Sequence, residues 1–242
     1  MNVMATSDLI HLLVGFAAVS LVYMFIPNFY ARHLSKHVSR KLTINNENKT
    51  IALTFDDGPH EQHTTSVLDL LSKYDVKATF FLVASNARQN RNIVMRMKRE
   101  GHCIAMHSLN HKCAWLSFPW ETRSDFMKSL KILGDLGIQV KYFRPPWGIF
   151  NAVTLACASK HDLRTVLWSV EAYDWRKNNT PHNIERILLE RTKHRDIIVL
   201  HDRGGREETP LNTIRALETA IPSFLAKGYQ FVTLDDGMEK EH

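Results

Sequence analysis

The sequence predicts a parallel α/β body preceded by a membrane helix, and three observations carry that reading. Apolar, β-rich runs alternate with helix-like stretches from Thr50 onward, the pattern of strand–helix–strand units. Polar clusters fall at the ends of five of those runs, where parallel α/β folds gather their active residues. The 22 residues Leu9–Tyr30 contain no Lys, Arg, Asp or Glu, and about 20 mostly apolar residues cross a bilayer as a helix.

The expected strands are Ile51–Phe55, Ala78–Val83, Cys103–His107, Tyr142–Arg144, Thr165–Val170, Ile197–His201 and Phe231–Leu234. The expected helices lie near 64–74, 90–100, 119–136, 151–161, 180–192 and 211–227. Gly101 and Gly228 stand where helices stop, Asn151 and Thr180 where they start, and Pro181 suits a first helical position. Seven such units fit a small barrel better than an open sheet.

Composition narrows the function classes. Of 242 residues, 44% are apolar and 23% charged, which excludes a disordered, collagenous or heptad chain. The net charge is +6, but the cations are scattered without a dense run, which argues against a nucleic-acid partner. Thirteen His residues direct attention to metal binding. The three cysteines, Cys103, Cys113 and Cys157, cannot all pair within one chain. They read as ordinary thiols and lean toward a reducing compartment, with a thiolate ligand at Cys103 or Cys113 as the competing reading.

At the N-terminus the absence of a basic leader and of a small-x-small cleavage site favours an uncleaved helix over a signal peptide; a buried core helix is the other alternative. The expected division is an anchor over 1–31, spanning the membrane through residues 9–30, a basic tether over 32–48 and a catalytic body over 49–242. The collar holds Arg32, Lys36, Arg40 and Lys41, with His33 and His37 between them. Residues 43–49 are polar and turn-rich. Such a collar favours a cytoplasmic body, or it binds anionic headgroups.

The strand ends read Asp56-Asp57-Gly58-Pro59-His60, His107-Ser108-Leu109-Asn110-His111, Arg144-Pro145-Pro146-Trp147-Gly148, Glu171-Ala172-Tyr173-Asp174-Trp175 and His201-Asp202. Adjacent carboxylates at Asp56 and Asp57 stay ionised beside a cation; alone, the same residues make a solvated turn. His107 and His111 have the spacing of one helical turn. One Asp with two His suits Zn²⁺, and Fe, Co or Ni also fit. The second Asp is then free to act as a base, with Arg144 to keep it ionised. His201 can protonate a leaving group, and Asp174 can raise its pKa. Together these are the parts of a metal-assisted hydrolase.

With those motifs in place the chain resembles the polysaccharide deacetylases with a NodB homology domain, carbohydrate esterase family four, over roughly residues 49–236. Thr54-Phe55-Asp56-Asp57-Gly58-Pro59, His107-Ser108-x-x-His111 and Arg144-Pro145-Pro146-Trp147-Gly148 carry the resemblance. It implies a distorted (β/α) barrel with about seven parallel strands. It implies Asp56 as general base, oriented by Arg144, and His201 as general acid, tuned by Asp174. Asp57, His107 and His111 would bind one divalent ion, with Zn expected first. The Trp147 backbone N–H would hold the oxyanion, and Trp175 and Val199 would line the acyl pocket. Two positions depart from the family pattern. Glu171 replaces an Asp in the fourth motif, and Val199 replaces a Leu in the fifth.

The resemblance implies removal of an N-acetyl group from an amino sugar of a cell-envelope glycan: peptidoglycan, a chitin-type oligosaccharide or a surface polysaccharide. A lipid-linked amino sugar on a polyprenyl phosphate and a silent glycan-binding domain are the alternatives. The family habit places the body of this single-pass protein outside the cytoplasm, against the charge rule. Trp115, Phe118 and Trp120 offer further stacking or packing faces, and residues 202–209 form a charged loop that suits an anion or plain solvent.

Overall fold

The computed structural model describes residues 6–33, 35, 38–44, 48–204 and 208–238. Helix α1 (Thr6–Ser20) runs through a five-residue π-helical segment, Leu21–Phe25, into α2 (Ile26–His33). There follow β1 (Val38–Ser39), β2 (Lys49–Asp56), α3 (His63–Lys73), β3 (Thr79–Leu82), α4 (Ala84–Gln89), α5 (Arg91–Arg99), β4 (Cys103–Met106), α6 (Pro119–Asp135) and β5 (Tyr142–Phe143). The remainder is α7 (Ala152–Lys160), β6 (Arg164–Val166), β7 (Val170–Glu171), α8 (Pro181–Arg191), β8 (Ile197–His201), α9 (Glu208–Ala226), β9 (Tyr229–Phe231) and α10 (Leu234–Gly237).

Eight strands form one parallel sheet in the order β1-β6-β5-β4-β3-β2-β8-β7, and β9 adds to the start of β2. The sheet curls into an incomplete barrel. Among the described residues no ladder joins β7 to β1.

Side-chain alternation explains how the sheet presents its site. On β2, Ile51, Leu53 and Phe55 enter the large core under the helices, while Ala52 enters a smaller core inside the curl. Thr54 and Asp56 share the Ala52 face by the period of two. The same parity puts Cys103 and Ala105 inside on β4, so the next inward residue is His107. On β8, Ile197 lies inside and Ile198 and Leu200 outside, which turns Val199 and His201 inward. Asp56 and His201 are direct register partners on neighbouring strands. Leu42, Leu234 and Met238 belong to the inner core with Ala52 and Ile197, register partners on β2 and β8.

Several expected boundaries hold. The Asn151 side chain accepts from Thr154 N, and that of Thr180 accepts from Asn183 N, each capping its helix. Gly101 and Gly228 follow their helices with φ of +79° and +77°, the left-handed closure that glycine permits.

Other elements differ from the expectation. The run Thr165–Val170 is two strands: β6 pairs with β5 and β1, and β7 pairs with β8 across the opening. The chain breaks there because Arg144 takes the Val166 and Leu167 carbonyls at 3.0 Å each. The last strand, β9, lies two residues earlier than expected, and Leu234 opens α10 instead. Helix α4 was not expected from the sequence. Within the basic tether, Val38–Ser39 pairs with β6 and Leu42 is 1% exposed, so much of that segment is built into the body. Lys36, His37 and residues 45–47 lie outside the described residues, as do 205–207 of the charged loop.

Candidate active site

The inward residues at the strand ends line one cleft of about 700 Å³, which contains Asp56, Asp57, His107, His111, Trp147 and His201. Asp174, Trp175 and Val199 line it as well. Arg144 lies beneath it, fully buried.

Arg144 is placed by five contacts. Its Nη1 donates to Asp56 Oδ1 at 2.6 Å and to Thr54 Oγ1 at 2.8 Å. Its other donors take the two carbonyls of the broken strand, and its guanidinium lies 3.9 Å from the Phe81 ring centre. Burial lowers the Arg144 pKa and the Asp56 charge opposes that. A buried ion pair with this many hydrogen bonds holds both side chains in one geometry. Thr54 belongs to this set although no role is legible for it in the sequence beyond its inward parity.

Asp57, His107 and His111 bring one ligand atom each within 4.8 Å of one another. Asp57 Oδ1 lies 3.5 Å from His107 Nε2 and 3.0 Å from His111 Nε2. The Asp57 oxygen is buried with no properly directed hydrogen bond, an orphan acceptor that a cation would satisfy. His107 Nδ1 lies 2.7 Å from the Arg144 carbonyl, which accepts its proton and turns Nε2 toward Asp57. Burial works to raise the Asp57 pKa; the two imidazoles overturn it and hold the carboxyl well below the usual carboxylate range. The three residues therefore fit a divalent ion by donor type and convergence. Neither Cys103 nor Cys113 joins the group, and burial pushes the Cys103 thiol up to about 12.

The His pair reaches this geometry by a route its spacing does not suggest. Residues 107–112 are not helical; Ser108 and His111 have φ of +72° and +54°, and His111 N donates to Ser108 Oγ at 2.9 Å. Asp57, Trp147 and Tyr173 also have positive φ, at +76°, +54° and +55°. Each such residue costs about 1–3 kcal/mol and persists only where its surroundings impose it. Five of the eight such residues recorded among the described residues, all but Asp75, Asp162 and Arg195, gather at this end of the barrel.

Across the cleft, His201 Nδ1 lies 2.9 Å from Asp174 Oδ1. Asp174 is 1% exposed, and its Oδ2 accepts from His201 N at 2.7 Å and Thr213 Oγ1 at 2.9 Å. Burial acts to lower the His201 pKa, but the Asp174 charge and hydrogen bond win and push it up to about 10. Thr213, on α9, carries no sequence signal at all. Val199 is buried, whereas Trp147 and Trp175 are 53% and 47% exposed, the Trp147 ring centre 4.3 Å from that of His111 and the Arg176 guanidinium 5.3 Å from that of Trp175. The Glu171 departure has a use here: its Oε1 accepts from Trp175 Nε1 at 2.9 Å.

The chain matches the model of the family described as polysaccharide deacetylase over residues 43–166. The chain belongs to that family. A Bacillus cereus peptidoglycan-N-acetylglucosamine deacetylase is 34% identical over 199 residues, covering 81% of this chain and 92% of the relative. The Listeria monocytogenes peptidoglycan-N-acetylglucosamine deacetylase PgdA is 35% identical over 193 residues, covering 78% of this chain but only 39% of the relative. The crystal structure of a peptidoglycan N-acetylglucosamine deacetylase superposes with a TM-score of 0.78 at 32% identity, covering 85% of this chain and 94% of that one. Membership makes this chain a hydrolase of the carbohydrate N-deacetylase type, on the expected barrel.

Proposed function

We propose that this polysaccharide deacetylase removes the acetyl group from an N-acetylated hexosamine of the cell envelope. The observation that carries the reading is the opposition of two proton-handling groups across one three-ligand cluster. Asp56 stands on one side, locked by Arg144. His201 stands on the other, locked by Asp174. The peptidoglycan N-acetylglucosamine deacetylases among its relatives support the choice of sugar.

In this reading Asp56 accepts the proton of the attacking water, and Arg144 pairs with its carboxylate and aims it. His201 carries its proton on Nε2 and delivers it to the departing amine nitrogen. Asp174 accepts from Nδ1, which holds the ring in that orientation. The Trp147 N–H is offered to the developing oxyanion. Val199, with Trp175, bounds the acetyl methyl. A divalent ion, Zn²⁺ or an ion of similar preference, would be held by Asp57, His107 and His111. When bound it supplies Lewis acidity and lowers the pKa of water.

The apolar helix supports membrane attachment. It runs from Ser7 to His33 with none of its apolar window buried. The reading keeps 1–31 as an anchor, 32–48 as the connection and 49–242 as the catalytic body, placed outside the cytoplasm. Acetate release from an N-acetylglucosamine oligomer or peptidoglycan, with added Zn²⁺ or Co²⁺, tests the activity. Asp56→Asn should lower it at least about 10²-fold. Equal rates in the variant and the parent would remove Asp56 from the mechanism, and no release under any metal would refute the deacetylase reading.

A further inference from the structure

The end of the apolar helix does not leave the body; it lies on it. Asn28 Oδ1 accepts from Phe150 N at 3.1 Å, and Ala31 is 2% exposed. Arg32 donates to the Gly148 carbonyl from Nε at 3.1 Å and Nη2 at 2.9 Å, and from Nη2 to the Trp147 carbonyl at 3.3 Å. Those carbonyls belong to the turn that carries Trp147 into the cleft. Arg40 Nη2 in turn donates to the Arg32 carbonyl at 2.7 Å. Both side chains line the same cleft as Asp57, His107 and His111.

These two arginines are paired unlike those held by carboxylates, though Arg195 and Arg203 also donate to main-chain carbonyls, of Leu42 and Pro59. Arg96 reaches Asp69 and Glu100, Arg186 reaches Glu190 and Arg144 reaches Asp56. Among the described residues, Arg32 and Arg40 bond main-chain carbonyls and no carboxylate. A carbonyl accepts N–H groups but cancels no charge. Burial first, and then the neighbouring Arg40 charge, lower the Arg32 pKa; Glu171, already holding Trp175, opposes this only in part. Each guanidinium has five N–H donors, and the Nη1 group of Arg32 has no partner among the described residues. Two adjacent planar forks with spare donors and charge that Glu171 offsets only in part suit an oxyanion, phosphate above all.

Their position says what carries the phosphate. Residues 7–25 make about 28 Å of helix at 1.5 Å per residue, the thickness of a bilayer's hydrocarbon. Beside that point the body has an apolar tip: Leu116, Phe118 and Trp120 are 74%, 61% and 65% exposed. The helix touches this loop, through Tyr23 OH to the Ser117 carbonyl at 3.0 Å and through the Phe25 and Trp115 rings at 5.2 Å. Helix and tip form one continuous apolar surface with aromatic residues at its edge, as at a membrane interface. Arg32 stands seven residues beyond Phe25, about 10 Å along the helix, at headgroup depth.

We infer that Arg32 and Arg40 form a phosphate subsite, and that the substrate is an N-acetylated amino sugar carried on a polyprenyl phosphate or diphosphate. The inference rests on the deacetylase reading above. In a 2-acetamido sugar 1-phosphate the scissile amide and the phosphate sit on adjacent ring carbons. One cleft must then hold both the metal-ligand set and the anion site, and this one does. The lipid chain leaves along the helix and the apolar tip.

The test uses the full chain in neutral-lipid nanodiscs, loaded with Zn²⁺ or Co²⁺. A short-chain prenyl-diphospho-N-acetylglucosamine is compared with the prenyl N-acetylglucosaminide of equal chain length that lacks phosphate. The expected kcat/KM is about tenfold or more higher for the phosphorylated substrate. Arg40→Gln and Arg32→Gln should each collapse that ratio, and Arg40→Lys should retain part of it. Equal kcat/KM for the two substrates, or a ratio unmoved in both Gln variants, overturns the inference. So does competition by phosphatidylglycerol equal to that by prenyl phosphate, which would make the site a headgroup contact. Binding of prenyl phosphate against prenyl alcohol gives a readout independent of turnover. Preferential phosphate binding with no acetate released from any sugar would sustain the subsite and sink the deacetylase reading. No preference would sink the subsite alone.

Discussion

Asp174→Asn isolates the electrostatic role of a residue that need not touch substrate. The substitution is nearly isosteric, and an amide oxygen can still accept from Thr213 Oγ1 or His201 N. What it removes is the largest of the charges that together outweigh burial and raise the His201 pKa from 6.5 to about 10, Asp57 and Asp56 adding to it. At 1.36 kcal/mol per pH unit, that preference for the protonated ring is on the order of 5 kcal/mol. A raised pKa keeps His201 protonated through neutrality and loses the acid form only as pH climbs toward 10. In the variant burial is opposed only by the more distant carboxylates, so the alkaline limb of kcat should move acidward by about two pH units or more. At pH 8.5 the loss should be about 10²-fold or larger, shrinking as pH falls. The assay is acetate release from an N-acetylglucosamine oligomer, read as kcat across pH 5 to 10. A uniform loss with the alkaline limb unmoved would refute the assignment of Asp174 as the group that tunes His201.

Other consequences follow from the same geometry. His111→Ala should lower divalent-ion affinity by at least about tenfold, since one of three convergent ligands is lost; equal metal content in variant and parent, measured after dialysis, would exclude it as a ligand. Arg144→Met leaves the Asp56 carboxylate buried against no cation and should destabilise the fold by about 3–5 kcal/mol in denaturant titration, while adding Asp56→Asn should recover part of that loss. His102 is buried, and burial brings its pKa down to about 4 from 6.5. The unfolded chain then binds the extra proton between those values, so stability is full above about pH 7 and falls by about 3 kcal/mol as pH drops toward 4. His102→Asn, which keeps an acceptor for Ala78 N, should flatten that part of the pH–stability curve.

The strand-end clusters were legible because alternation on a buried strand leaves little freedom. Once Ile51, Leu53 and Phe55 are committed to the helix side, Thr54 and Asp56 must face the interior, and the same parity fixes His107 and His201. Sites made by loop conformation were not legible. The i, i+4 spacing of His107 and His111 suggested a helical turn, whereas positive φ at Ser108 and His111 does that work. The run 165–170 looked like one strand because its apolar content is continuous. Only the demand of a buried Arg144 for carbonyls at 166 and 167 divides it. Thr213 lies 39 residues from Asp174 in sequence, and no local pattern links them. Arg32 and Arg40 were visible only as charges beside a membrane helix, because their partners lie more than a hundred residues away or on each other.

Those last contacts bear on which side of the membrane the body occupies. Read from the sequence, the collar of Arg32, Lys36, Arg40 and Lys41 opposes export. In the folded protein three of these cations have definite work on the body. Arg32 holds the turn at Trp147 and Gly148, Arg40 holds Arg32, and Lys41 Nζ lies 3.2 Å from the buried Asp196 carboxylate. Their presence is therefore accounted for by the cleft and the sheet edge without any topological role. A basic residue kept for the site cannot also be counted as an independent vote for the cytoplasm. What remains as an independent vote is Lys36, a weak signal, although all four cations still act on the unfolded chain as it inserts, while the peptidoglycan substrate proposed above would require an exported body. Fusing alkaline phosphatase to the C-terminus should accordingly give an active reporter, because that enzyme forms its disulfides only after export. An inactive but intact fusion would place the body in the cytoplasm. The Arg32–Arg40 subsite would then have to meet its lipid phosphate at the inner leaflet, and peptidoglycan would cease to be an available substrate.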